Sequence, residues 1–139
     1  MPKTMGYSKT KFSFNYLKDK NFSYLIKEVR KGIKFSYFRR IANQSQFSFF
    51  EWSDYLHLSE RTLQRFKKEN RTFDSLQSEK ILQIACLYKK GIDVFGKTER
   101  FNSWLETENI ALGKVKPKDL LDNAFGINLL DDELTRIEY

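Results

Sequence analysis

The residues with the most chemical reach in this chain are arginines, lysines and one glutamine gathered between positions 59 and 71. Arg61, Gln64, Arg65, Lys67, Lys68 and Arg71, with Thr62 among them, fall on a segment of helical spacing whose Leu63 and Phe66 point inward. Guanidinium and amide side chains at such spacing can meet base edges in a major groove, arginine suiting guanine and glutamine suiting adenine, while the lysines neutralise phosphates. The inventory for catalysis is poor by comparison. There is one histidine, His57, and one cysteine, Cys86, so neither a self-contained His/Cys zinc site nor an internal disulfide can be built. No nucleophile–base pair or phosphate-binding glycine loop stands out, and an enzyme, a metal or a cofactor is not expected.

The elements that must position those residues read as helices. The segment before the basic one, Phe47 to Leu56, and the basic segment itself, Ser59 to Glu69, have the size of a helix-turn-helix, with Ser59 as N-cap and Glu60 in a favourable first turn. No glycine stands in the turn, where Leu58 and Ser59 fall. Upstream, Asn21 can cap a helix carrying Phe22, Leu25, Ile26 and Val29 and ending at Gly32. A second runs from Phe35 to Ala42 with Arg39 and Arg40 exposed, extending the basic footprint. Downstream, Asp74 and Gln77 have capping-box spacing before Ile81, Ile84, Ala85 and Tyr88, and that helix continues past Gly91 to Phe95 and stops at Gly96. Cys86 reads as a small core residue and His57 as a boundary residue.

The remaining stretch is built of shorter pieces. Thr98 can cap a helix with Phe101, Trp104 and Leu105; Gly113 makes a turn; Pro117 suits the first position of a helix with Leu120 and Leu121, ended by Gly126. A last segment places Leu130, Leu134 and Ile137 on one face. The predicted fold class is all-α, divided into a basic flexible arm over residues 1–20, a helix-turn-helix domain over 21–96 and a small helical domain over 97–139.

Length, composition and charge agree with that reading. The chain has 139 residues, 16% of them aromatic, enough to bury a core and too apolar in its rings for disorder. Its net charge of +7 is uneven: residues 1–71 hold 16 basic and 6 acidic side chains, +10, and residues 72–139 hold 9 and 12, −3. One end is suited to a polyanion and the other to a different partner. No apolar run spans a membrane and no signal peptide opens the chain, so a cytoplasmic location is expected.

An ordered series of motifs carries a family resemblance. Ser59-Glu-Arg-Thr-Leu-Gln-Arg65, Val94-Phe95-Gly96, Trp104-Leu105, Asn109-Ile-Ala-Leu-Gly113, Pro117-Lys-Asp-Leu-Leu121, Gly126 and Arg136-Ile-Glu-Tyr139 together resemble the Xre/MbcA/ParS-type antitoxins over roughly residues 21–139. The resemblance implies an Xre-like helix-turn-helix followed by a toxin-binding domain, in a type II antitoxin that blocks the active-site entrance of a RES-type toxin acting in NAD metabolism. It also implies repression of its own operon through operator DNA, as a homodimer or larger toxin–antitoxin assembly. The implied DNA-binding residues are Arg61, Thr62, Gln64, Arg65, Lys67, Lys68 and Arg71. The implied toxin-binding residues are Trp104, Leu105, Asn109, Leu112, Pro117, Leu121, Arg136, Ile137, Glu138 and Tyr139, the last four most of all. The chain departs from the family at Glu108, where proline is frequent, at Lys114, where a second glycine is frequent, at Lys116, where serine or threonine is frequent, and after Tyr139, where relatives often continue. The competing reading is a stand-alone helix-turn-helix regulator whose C-terminal module dimerises.

Overall fold

The computed structural model describes residues 22–138, and within them seven α-helices form the protein. In chain order these are α1 (Phe22–Lys31), α2 (Phe35–Gln44), α3 (Phe49–Tyr55), α4 (Glu60–Glu69), α5 (Ser75–Phe95), α6 (Thr98–Glu106) and α7 (Ala124–Glu138). Two 3-10 turns, Ile110–Leu112 and Pro117–Leu120, lie between α6 and α7. The expected all-α class is therefore observed. The arm over residues 1–20 and the Asn21 cap lie outside the described residues.

Local chemistry accounts for most boundaries. Asp74 and Gln77 form the expected capping box on α5, and Gly96 ends it in the left-handed region at φ 81°. Ser48 and Glu51 form a second box on α3, in which the Glu51 amide donates to Ser48 Oγ at 3.0 Å and the Ser48 amide to Glu51 Oε1 at 2.9 Å. Two expectations fail. Thr98 is the first residue of α6, not its cap; the capping position is Lys97, without a side-chain bond. Gly126 does not end a helix but sits in the first turn of α7, where the Asn123 side-chain oxygen accepts its amide at 2.7 Å. A Cβ at Gly126 would lie 1.9 Å from the Leu120 carbonyl oxygen, so glycine is there for close approach. Consequently α7 begins six residues before Leu130, and Asp131, Asp132 and Glu133 sit in its middle.

The long helix α5 is the spine: α1, α6 and α7 all pack on it. The Phe101 ring of α6 lies against the buried Gly91 of α5, 2.2 Å from where a Cβ would stand. One buried cluster runs from Ile33 to Leu134 without a break. Its aromatic part passes from Phe38 to Trp52 (5.0 Å between centroids), through Phe47 to Tyr88 (5.7 Å), and on to Phe101 (5.0 Å). Edge-to-face packing at these separations suits the ring quadrupoles, and it explains the large aromatic content. The boundary expected after Gly96 thus falls at a helix end, yet the interior crosses it. Burial, helped by Glu106, pushes the Tyr88 phenol up to about 12, and its hydroxyl donates to Asn102 Oδ1.

Polar ties reinforce the junction. Lys118 pairs with Glu51 at 2.7 Å and with Glu106 at 2.9 Å. Burial acts to raise the Glu51 carboxyl, but hydrogen bonds from Lys118 and Ser48 outweigh it and hold the group below the usual range. No helix among the described residues is long and apolar enough to cross a membrane.

Candidate DNA-reading and partner-binding surfaces

The first surface is α4. Ser59 Oγ accepts the Thr62 amide at 3.0 Å, starting the helix where the sequence placed it. Leu63 is completely buried, and Phe66 lies 4.9 Å from the Phe73 ring, which fixes the rotation of the helix about its axis. At 3.6 residues per turn, Arg61, Gln64, Arg65 and Lys68 then line the opposite side, and all four are exposed. Lys67 is exposed on the flank. Arg71, also exposed, follows the left-handed Asn70 that closes the helix. Thr62 stands apart from this group: it is half-buried, and its hydroxyl accepts from Ser59. It serves the cap instead of the exposed face.

The turn that joins α3 to α4 explains how a sequence without glycine makes it. His57 takes the left-handed conformation at φ 57°, and its Nε2 donates to the Asp122 carbonyl at 2.8 Å. The expected boundary residue thus fastens the helix-turn-helix to the start of α7. Cys86 is partly buried; burial, then Asp131, pushes its thiol up, which disfavours a reactive thiolate. Among the described residues no cluster of His, Cys, Asp and Glu could hold a metal ion.

The second surface belongs to the C-terminal segment, and here the structure sorts the sequence candidates sharply. Leu105 and Leu121 are core residues with 0% and 1% exposure, and Pro117 is buried with them. In this structure the three side chains are interior supports of the C-terminal segment and not open surface. Trp104 is half-buried; it stacks on Phe101 at 5.9 Å and meets the Phe95 ring at a tilt, 5.7 Å between centroids. Asn109 is a turn former: its Oδ1 accepts the Ala111 amide at 2.9 Å, and its backbone bridges Val115. Leu112 is half-buried. Arg136, Ile137 and Glu138 are exposed, and Tyr139 lies outside the described residues. Arg136 grips Glu133 through both Nε and Nη2, and these bonds hold the Glu133 carboxyl below its ordinary range.

Sequence reasoning missed the most exposed apolar side chains of this segment. Phe125 is 87% exposed, Ile110 82% and Leu129 46%. On α7, Phe125, Leu129, Asp132 and Arg136 follow one another along a single outward side, opposite Ile127, Leu130 and Leu134. The signal was present in their spacing, but it emerges only when the helix is started at Ala124.

Comparison with known families adds two matches. Residues 25–85 match the antitoxin Xre-like helix-turn-helix domain, and residues 90–139 match the antitoxin Xre/MbcA/ParS C-terminal toxin-binding domain. No curated protein gives a significant match to the chain.

Proposed function

This chain belongs to the Xre-type antitoxins, and from that membership we propose that it inhibits a RES-type toxin by covering the entrance to its active site and represses its own operon. What supports the reading most is the succession of the two matched domains, each with an outward face of different chemistry. The α4 face is cationic and hydrogen-bonding, as a polyanion requires. The α7 face carries two exposed apolar anchors beside Asp132 and Arg136, the mixture found at protein interfaces.

In this proposal Phe125 and Leu129 seat the antitoxin on its toxin, and the end of α7 enters the pocket. Arg136 exchanges Glu133 for a toxin carboxylate, while Ile137 and Glu138 fill the approach used by substrate. Repression uses the other face. Arg61, Gln64, Arg65 and Lys68 read base edges, and a homodimer presents two such helices about 34 Å apart to a palindromic operator. The test is co-expression with the product of the neighbouring gene, scored by growth rescue and co-purification, beside a reporter fused to the operon's promoter. Rescue, a stable complex and a silenced reporter are expected. A chain that silences the reporter but neither binds nor neutralises the neighbouring protein would instead be a stand-alone regulator.

A further inference from the structure

Three cations near the C-terminal end of α4 share an arrangement that base reading does not use. The Arg39 guanidinium lies over the Phe35 ring at 5.6 Å, the Lys67 ammonium over Phe49 at 6.0 Å, and the Arg71 guanidinium over Phe66 at 5.2 Å. Those rings belong to one connected cluster: Phe35 is 6.5 Å from Phe49 and 6.3 Å from Phe73, and Phe73 is 4.9 Å from Phe66. Phe35 and Phe73 are buried, so the platform is rigid. The backbone locks it further. The Phe35 amide donates to the Arg71 carbonyl at 2.9 Å, Lys34 bridges Thr72, and the Ser36 amide donates to Asn70 Oδ1 at 3.0 Å. The start of α2 is thereby tied to the end of α4, and cations from two helices and a loop rest on one connected ring cluster.

A cation on a ring face has its position fixed while its N–H groups stay directed outward, because the ring occupies only one side of it. Among the described residues Arg39 and Lys67 have no ion-pair partner, and Arg71 has only Glu69, at 3.7 Å. Three preordered, outward cations against one carboxylate call for a multivalent anion. We infer that Arg39, Lys67 and Arg71, held on the Phe35–Phe49–Phe66 platform, clamp the sugar-phosphate backbone of duplex DNA beside the groove that α4 reads. The clamp carries affinity without sequence preference and sets the depth of α4 in the groove. The inference rests on the DNA-binding half of the proposed function.

The test is fluorescence anisotropy on a random-sequence 24-base-pair duplex and on the promoter fragment, between roughly 50 and 200 mM KCl. In Arg39→Gln/Lys67→Gln/Arg71→Gln the slope of log K against log salt falls by about 2.7, about 0.9 for each phosphate no longer neutralised, equally on both duplexes. Arg39→Lys/Arg71→Lys, which keeps the charges, retains most of the slope. Phe49→Leu leaves the slope intact and weakens binding by about 2–5-fold, through removal of the ring under Lys67. Circular dichroism checks that the variants fold. A triple variant with the wild-type slope overturns the clamp, even if promoter discrimination by Arg61 and Arg65 persists. Wild-type protein that binds neither duplex at low salt overturns the clamp and the DNA-binding reading together.

Discussion

Helices α4 and α7 present the same architecture with opposite chemistry. Each lays one apolar side into the common core, Leu63 and Phe66 for α4, Ile127, Leu130 and Leu134 for α7. Each leaves the other side in solvent. On α4 that side is arginine, glutamine and lysine; on α7 it is phenylalanine and leucine flanked by Asp132 and Arg136. Charged side chains are excluded from the interior by their hydration, so a basic stripe is outward by default and its position follows from its neighbours. Apolar side chains have no such default. On α7, the core side and the exposed side draw on the same residue types, and only the packing separates them.

This contrast leads to experiments that stress the shared interior first. Leu105, expected at the partner surface and found in the core, is the sharpest case: Leu105→Ala is expected to cost about 2–5 kcal/mol of stability and to weaken both activities together. Abolished toxin binding at an unchanged melting temperature would return Leu105 to the surface. Removal of residues 137–139 leaves the Arg136–Glu133 pair and the buried side of α7 in place. It should weaken toxin inhibition by roughly 10-fold or more and leave promoter binding unchanged, as measured by inhibition titration and gel shift. Truncation from residue 130 is a poorer test, because it strips the fully buried Leu130 and Leu134.

A pH experiment reports on the core between the faces. The Tyr88 phenol is pushed up to about 12, above the ordinary value of 10. Between those values the folded protein holds a proton that the unfolded chain has released. The resulting stability is therefore complete below pH 10 and is lost as pH rises toward 12. Thermal melts should show this decline, and Tyr88→Phe should make it shallower; an equal decline in both would remove Tyr88 from the cause. The smallest expected effect is a gain. Lys114 occupies φ 64°, in the left-handed region that favours glycine. Lys114→Gly should raise stability by about 1 kcal/mol in denaturant melts and change neither binding activity. A decrease in stability would mean that the lysine side chain contributes more than the backbone strain costs.

Much of the fold was legible because capping chemistry is local: Ser59, Asp74 with Gln77, and Gly96 act within one turn of themselves. What escaped was set by distant contacts. Gly126 reads as a helix terminator until Leu120 is seen against it, and that misreading hid the register of Phe125 and Leu129. His57 is an unusual turn residue by type, and its bond to Asp122 spans the two domains. The candidate DNA-contacting residues between positions 61 and 71 were found as a group, yet their division into an outward face, a cap-bound Thr62 and ring-held Lys67 and Arg71 required the third dimension.

The central claim, that one folded unit carries two separable binding faces, is tested most directly by a pair of charge substitutions assayed side by side. Arg61→Glu/Arg65→Glu and Phe125→Asp/Leu129→Asp would each be measured for promoter binding by gel shift and for neutralisation of the neighbouring toxin in a growth assay. The first pair is expected to abolish promoter binding and keep neutralisation; the second is expected to abolish neutralisation and keep promoter binding. Loss of both activities in either folded variant, or neutralisation that survives Phe125→Asp/Leu129→Asp, would contradict the account.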